Sequence, residues 1–240
     1  MRRGVRAAPA VAAALAFLLC TTLPSAGMSQ SRSAGSAAAV LAADKGKFRI
    51  LLDGQPVGSE EFEIKPAGAE WLAHGSTELR LPGGEARVTA TLKLAADGSP
   101  VSYEWTSQGA KKVSATVDFQ NGTAKMALRF EGAQPFIQEL SFGSARLAVL
   151  DNNLYHQYAI LARLYDWKAR GAQTLSVLIP QEMTPGSITL ESMGPQDVEG
   201  VALELLRVRT SDIEIDLYLD SSHRMVRLAV PASKVLLVRE

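Results

Sequence analysis

The sequence predicts a mainly β protein: a single curved antiparallel meander, either a half-barrel or an open barrel, with one long helix packed in its concave face. Apolar and polar residues alternate through most of 46–240, as they do at 213–220. Side chains of a strand point to opposite faces in turn, so alternation predicts sheets with one buried and one solvated face. Turn-forming residues separate these segments at short intervals, and only 151–168 has a helical period instead.

The turns favour antiparallel pairing of consecutive strands. Asp53-Gly54, Asp97-Gly98 and Asn121-Gly122 are dipeptides that accept positive φ in tight hairpins. Parallel pairing would need long crossovers, for which the chain has little room. About fourteen strands are too many for a flat sheet, so curling or closure is expected. The predicted strands are 47–52, 57–65, 71–81, 86–94, 101–107, 112–119, 123–130, 136–142, 174–179, 187–192, 201–210, 213–219, 225–230 and 235–239.

The segment 151–168 is predicted to be the one long helix. Its apolar residues fall at i, i+4, i+7 and i+11 on one face, and they are Leu154, Tyr158, Leu161 and Tyr165. Asp151 is a suitable N-cap, and Gly171 is a suitable stop after the last turn. A helix this apolar has to be covered on most of its circumference, and the concave face of the sheet is the simplest cover.

The first residues have the layout of a secretory signal peptide. Arg2, Arg3 and Arg6 precede an apolar run at 8–19, and small residues follow at 25–27. The run is short for a membrane span, although a retained N-terminal anchor is the alternative. We therefore expect a signal peptide at 1–27, a flexible leader at 28–45 and a single β-rich domain at 46–240, with no membrane span in the mature chain.

Cys20 raises the question of lipidation, because bacterial lipoproteins begin at a lipidated cysteine. The bulky Leu19 just before it argues against that, so we expect a periplasmic or secreted protein of a bacterial envelope. Cys20 is the only cysteine and would leave with the signal peptide. The mature chain would then form no disulfide and hold no metal through thiolates.

Composition and motifs argue against several functions. Removing 1–27 takes away three arginines and no acid, which leaves 22 Lys and Arg against 25 Asp and Glu and no basic stripe for nucleic acid. His74, His156 and His223 share no metal-ligand spacing. No nucleophile elbow, Walker loop or dinucleotide fingerprint occurs. We expect no metal, no cofactor and no enzymatic activity; the many carboxylates, Glu60 included, are assigned to solvated strand faces.

Polar residues are densest at 150–158, where the predicted helix begins. In one interpretation Asp151 caps the helix while Asn152, Asn153 and Gln157 satisfy backbone groups. In the other, the segment is a polar rim at the entrance to an apolar groove. The aromatic residues that could line such a groove, or simply fill the core, are Trp71, Tyr103, Trp105 and Trp167.

The opening Gly-Lys-Phe-Arg-Ile-Leu-Leu-Asp-Gly at 46–54, followed by Val57-Gly58, resembles the first hairpin of several uncharacterised periplasmic β-rich families. With the signal peptide, the meander and the helix, the chain resembles the half-barrel envelope proteins that include the lipoprotein carrier LolA and its LppX-type relatives. The resemblance covers 46–240 at the level of pattern, without a shared functional motif. It implies an apolar groove between sheet and helix that binds acyl chains or an apolar partner.

The expected function is that of an exported envelope protein that binds a hydrophobic ligand, a lipid or acyl chain, or an apolar partner in a sheet–helix groove. The expected ligand-binding residues are Leu154, Tyr158, Leu161, Tyr165 and Trp167. The alternative is a non-catalytic structural or assembly protein of the envelope whose helix plugs a filled core, with a hydrolase third. A continuous void beside the helix favours the carrier, and a filled core favours the assembly protein.

Overall fold

The computed structural model describes residues 40–81, 83–109, 112–143 and 146–240. The predicted signal peptide and most of the predicted leader lie outside these ranges. Within them, the first strand begins at Asp44, two residues before the predicted start of the domain, and Leu41 already packs in the core.

The described chain contains fifteen strands in one sheet. Their bounds are β1 Asp44–Leu52, β2 Gln55–Ala67, β3 Glu70–Leu81, β4 Gly84–Leu94, β5 Pro100–Gln108, β6 Val113–Gln120, β7 Thr123–Phe130, β8 Phe136–Ser141, β9 Leu147–Val149, β10 Gln173–Ile179, β11 Thr184–Val198, β12 Val201–Arg209, β13 Glu214–Leu219, β14 Met225–Val230 and β15 Val235–Arg239. Helix α1, His156–Leu164, lies between β9 and β10, and short 3-10 turns at Pro180–Glu182 and Pro231–Ser233 follow β10 and β14.

The sheet is a meander that is curved and not closed, which confirms the predicted fold class. Its strand order runs from β8 down to β1, then to β15 and down to β9. The first strand therefore pairs with both β2 and the last strand. All neighbours are antiparallel except β9 and β10. The sequence missed β9, because three residues are too few to show an alternation.

Alternation places the apolar side chains on the inner face of the curve. Phe48 and Ile50 of β1, and Tyr103 and Trp105 of β5, are among the buried residues. Helix α1 contributes Leu161 to the same core and contacts β14, while β5 contacts β9 across the fold. The helix thus packs into the same core as the sheet. Within the described ranges, no helix combines the length and the apolar character needed to cross a membrane.

Helix α1 has nine residues and is much shorter than the predicted 151–168. Tyr155 is its N-cap residue and makes no side-chain capping bond, so the prediction of Asp151 as N-cap is wrong. At the other end Tyr165 is already extended. Asp166 then starts a separate turn, because its carboxylate accepts the backbone N–H groups of residues 168 and 169. Such local bonds compete with continuation of a helix, and Gly171 lies beyond that turn.

Candidate functional site

The two ends of α1 differ in what surrounds them. A buried polar cluster surrounds the first residues of the helix, and we call it the N-terminal cluster. An apolar cavity lies at the last residues, and we call it the C-terminal cavity. The N-terminal cluster consists of Glu60, Tyr103, Asp151, His156 and Gln157, all of them buried.

Glu60 caps the helix from a distant strand. Its Oε2 atom accepts the backbone N–H groups of Tyr155 and His156, each at 3.0 Å. These donors have no partner inside a helix, and the positive end of the helix dipole favours a carboxylate. The solvated position expected for Glu60 is wrong, since it is fully buried. The alternation of the strand could have indicated this burial, because Glu60 lies on the inward face of β2 together with Phe62 and Ile64.

His156 lies against Glu60 and the backbone of β3. Its Nδ1 atom is 2.6 Å from Glu60 Oε1. Glu60 thus contacts the start of the helix through both of its carboxyl oxygens. Gly75 makes room for this contact, since a Cβ there would overlap the imidazole ring and lie 2.9 Å from Glu60 Oε1. The ring also stacks on Phe62 at a centroid distance of 6.2 Å.

Asp151 and Tyr103 form the second half of the N-terminal cluster. Tyr103 donates its hydroxyl hydrogen to Asp151 Oδ2 at 2.8 Å, and Gln157 donates to the tyrosine oxygen at 3.3 Å. The N–H of Asp151 donates to Gln157 Oε1, and that of Gln181 donates to Asp151 Oδ1. Burial raises the pKa of Asp151 to about 6, although the bond from Gln181 opposes the shift. Burial and the Asp151 charge also raise the pKa of Tyr103 well above its ordinary value.

Three of the polar residues at 150–158 are therefore too buried to form the rim of a groove. Asp151, His156 and Gln157 are at most 5% exposed, because the sheet curves over them. The interpretation in which these residues satisfy backbone groups is observed for Gln157, which accepts the backbone N–H of Asp151. Three buried polar atoms of the described residues have no partner, and they are Thr77 Oγ1, Trp105 Nε1 and His156 Nε2.

The C-terminal cavity has a volume of about 760 Å³. Most of its wall is apolar, and the apolar side chains are Val40, Leu147, Leu164, Tyr165, Trp167 and Leu175. They come from the chain before β1, from β9, from the end of α1 and from β10. The space therefore lies between the sheet and the last turn of the helix.

Aromatic contacts hold one wall of the C-terminal cavity in place. Trp167 stacks on His223 at a centroid distance of 3.9 Å and meets Tyr165 edge-on at 4.8 Å. The indole N–H donates to the carbonyl of Ala162 at 3.0 Å, and the Tyr165 hydroxyl donates to the carbonyl of Gly171 at 2.8 Å. The polar atoms of both rings are therefore satisfied by the protein itself.

Charged residues complete the lining of the C-terminal cavity. Its two acids are engaged by backbone groups: Asp97 accepts the N–H of Ser99, and Asp166 accepts those of residues 168 and 169. The bonds to Asp166 lower the pKa of that carboxyl. Arg163 donates to the carbonyl of Ser222, and Lys168 is exposed at the rim.

The five residues expected to bind ligand lie in two environments. Tyr165 and Trp167 line the C-terminal cavity. Leu154 and Leu161 are buried in the core outside it, and Tyr158 is half-buried against the core. Leu147 and Leu175 were not expected as lining residues, because the cavity exists only where β9, β10 and the helix end meet.

No protein-family model matches the chain, and no curated protein matches it. Among the residues that the structure describes, no group of three or more His, Cys, Asp or Glu side chains is arranged to hold a metal ion.

Proposed function

We propose that the protein binds an amphiphilic ligand, with an acyl chain in the C-terminal cavity and a polar head group at the rim. The observation that carries the proposal is the size and character of the cavity. About 760 Å³ of mostly apolar space falls within the range of roughly 300–1,000 Å³ that is usual for small-molecule sites.

The wall of the C-terminal cavity supports this proposal because it is pre-formed. Trp167 and Tyr165 are held by each other and by hydrogen bonds to backbone carbonyls. A ligand would therefore pay little for ordering these side chains, which is a major cost of binding. Arg163 and Lys168 also line the cavity, and their positive charges would favour an anionic head group.

The proposal includes export and the absence of catalysis. Export rests on Arg2, Arg3 and Arg6 and on the apolar run at 8–19, which lie outside the described residues. An exported protein with an apolar cavity would serve as a carrier or binding protein of the bacterial envelope.

A filled-core assembly protein is the second candidate. The observation in its favour is that Leu154, just before α1, and Leu161, in the second half of α1, are fully buried. Only the end of the helix adjoins open space. The two candidates differ in whether an acyl chain binds saturably.

A titration with a fluorescent fatty acid tests the proposal. The wild type should bind with micromolar affinity, about −8 kcal/mol. Leu147→Trp fills the C-terminal cavity from its β9 wall and should weaken binding at least tenfold. The matched control is Leu72→Trp, because Leu72 is a half-buried strand residue that does not line the cavity.

Circular dichroism should show the same β-rich spectrum for both variants. Absence of saturable binding of any acyl or lipid probe to the wild type would refute the carrier function. Native mass spectrometry of protein purified from its own envelope would identify a co-purifying lipid.

A further inference from the structure

The two edges of the sheet differ in how they are protected. Strand β9 has three residues, and β5 contacts it across the fold. Strand β8 has six residues and pairs with β7 on one side. On its other side it pairs with no strand of the described chain, so a row of backbone N–H and C=O groups is open there.

Strand β8 also carries the most exposed large apolar side chains of the described residues. Ile137 is 61% exposed and Phe136 is 56% exposed, and Phe130 at the end of β7 is 45% exposed. Proteins usually protect an edge strand with charged residues, proline or a bulge. Strand β8 has a single charge, Glu139, and no proline within it, and its pairing with β7 has no register shift. An edge with so little protection is a template for another strand.

We propose that a second copy of this chain pairs with β8 in antiparallel fashion and continues the sheet across a two-fold axis. An isologous contact of this kind requires a strand that is complementary to itself. The only charge in β8 is Glu139. Pairing centred on Gln138 places Phe136 opposite the partner's Leu140, and it places Ile137 opposite the partner's Glu139.

The register follows from charge and from the alternation of faces. Residues that lie opposite each other in an antiparallel pair point to the same face of the sheet. The two-fold axis therefore has to pass between a residue and the same residue of the partner copy. Axes beside Gln138 and Glu139 pair five residues of each β8 strand, more than any other axis within it. Centring on Glu139 would oppose two carboxylates, which is unfavourable. Centring on Gln138 avoids this and joins the apolar inner faces of the two copies. None of the residues involved lines the C-terminal cavity, so the inference is independent of ligand binding.

Sedimentation of the purified protein at about 1 to about 100 µM tests the inference, since a micromolar dissociation constant would appear as a dimer in that range. Ile137→Glu should raise the dissociation constant at least tenfold, because in the proposed register it places a second carboxylate opposite the partner's Glu139. The matched control is Val238→Glu on β15, a central strand, where the exposed valine lies opposite Arg49 and Arg227. This control should leave the dimer intact.

Hydrogen exchange gives a second readout that does not depend on a variant. Backbone N–H groups of 136–141 should become more protected as the wild-type concentration rises, while those of β9 should not. A wild type that stays monomeric throughout would overturn the inference. A dimer without concentration-dependent protection of β8, or an equal loss of dimer in Ile137→Glu and Val238→Glu, would overturn it as well.

Discussion

Helix α1 meets the sheet through buried polar groups at its first residues and through an apolar cavity at its last residues. At the first end Glu60 accepts two backbone N–H bonds and contacts His156. At the other end the walls come from Leu164, Trp167 and neighbouring strands, and they leave about 760 Å³ unfilled. One end is closed by directional bonds, whereas the other is bounded by side chains that only pack.

This comparison predicts different roles for the two ends of the nine-residue helix. Buried charge that has lost a partner is costly, so the N-terminal cluster has to stay assembled. The charged residues that line the C-terminal cavity are exposed or half-buried, so the proposed apolar ligand would displace no buried charge there. The stability of the protein should therefore depend on one end and its binding on the other, and four predictions test this.

The largest effect is expected for Glu60→Ala. The variant leaves two helix N–H groups and the His156 ring without their buried acceptor, which should lower the free energy of unfolding by about 3–5 kcal/mol. Urea unfolding measures it. Glu61→Ala is the control, because Glu61 is exposed on the outer face, and it should change stability by about 0.5 kcal/mol or less. Equal effects of the two variants would show that the cap does not hold the helix.

The next effect concerns pH at Asp151. Burial raises its folded pKa from 3.8 to about 6, so the folded protein holds this proton more tightly than the unfolded chain does. The resulting stabilisation is fully present below pH 3.8 and is lost as pH rises through about 6. The stabilisation that is lost amounts to about 2–3 kcal/mol, because each pKa unit between the folded and unfolded states corresponds to about 1.36 kcal/mol.

Asp151→Asn isolates this contribution, since asparagine does not titrate. The free energy of unfolding of the variant minus that of wild type should rise as pH increases from about 4 to about 6, and it should stay constant above that range. Unfolding in urea across this pH range measures the difference. A difference that is independent of pH would show that Asp151 is not buried as described.

A smaller effect is expected for Gly75→Ala. The new methyl group would overlap the His156 ring, and overpacking of this kind costs about 1–3 kcal/mol. Thermal unfolding measures it. Gly143→Ala is the control, because no atom of the described chain lies within 4 Å of a Cβ at that position. If both variants melt alike, the imidazole is free to move away and the N-terminal cluster is looser than the geometry indicates.

The smallest effect on stability is expected at the other end of the helix. Lys168→Ala removes an exposed charge from the rim of the C-terminal cavity and should change the free energy of unfolding by about 0.5 kcal/mol or less. Affinity for a fatty acid should fall several-fold, or about 1 kcal/mol, because an exposed ion pair is weak. Lys125→Ala on β7 is the control for both measurements. Unchanged affinity would place the head group elsewhere.

Much of the fold could be predicted from local pattern. Alternation identified every strand except β9, and the dipeptides Asp53-Gly54 and Asn121-Gly122 do lie in turns with positive φ. These features depend on residues that are close in the chain, and the same local physics acts wherever the segment lies. The helix was located correctly for the same reason, but its ends were not, because bonds to other elements decide where it stops.

By itself the sequence determined the alternating strands, their turns, the one helix and the apolar character of its face. Only the tertiary structure decided what surrounds that helix. Glu60 and Tyr155 are 95 residues apart, and nothing in either segment specifies their bond. Gly75 is needed only because His156 folds over it. The C-terminal cavity is likewise a property of where β9, β10 and the helix end meet, since a void depends on side chains that approach from separate parts of the chain.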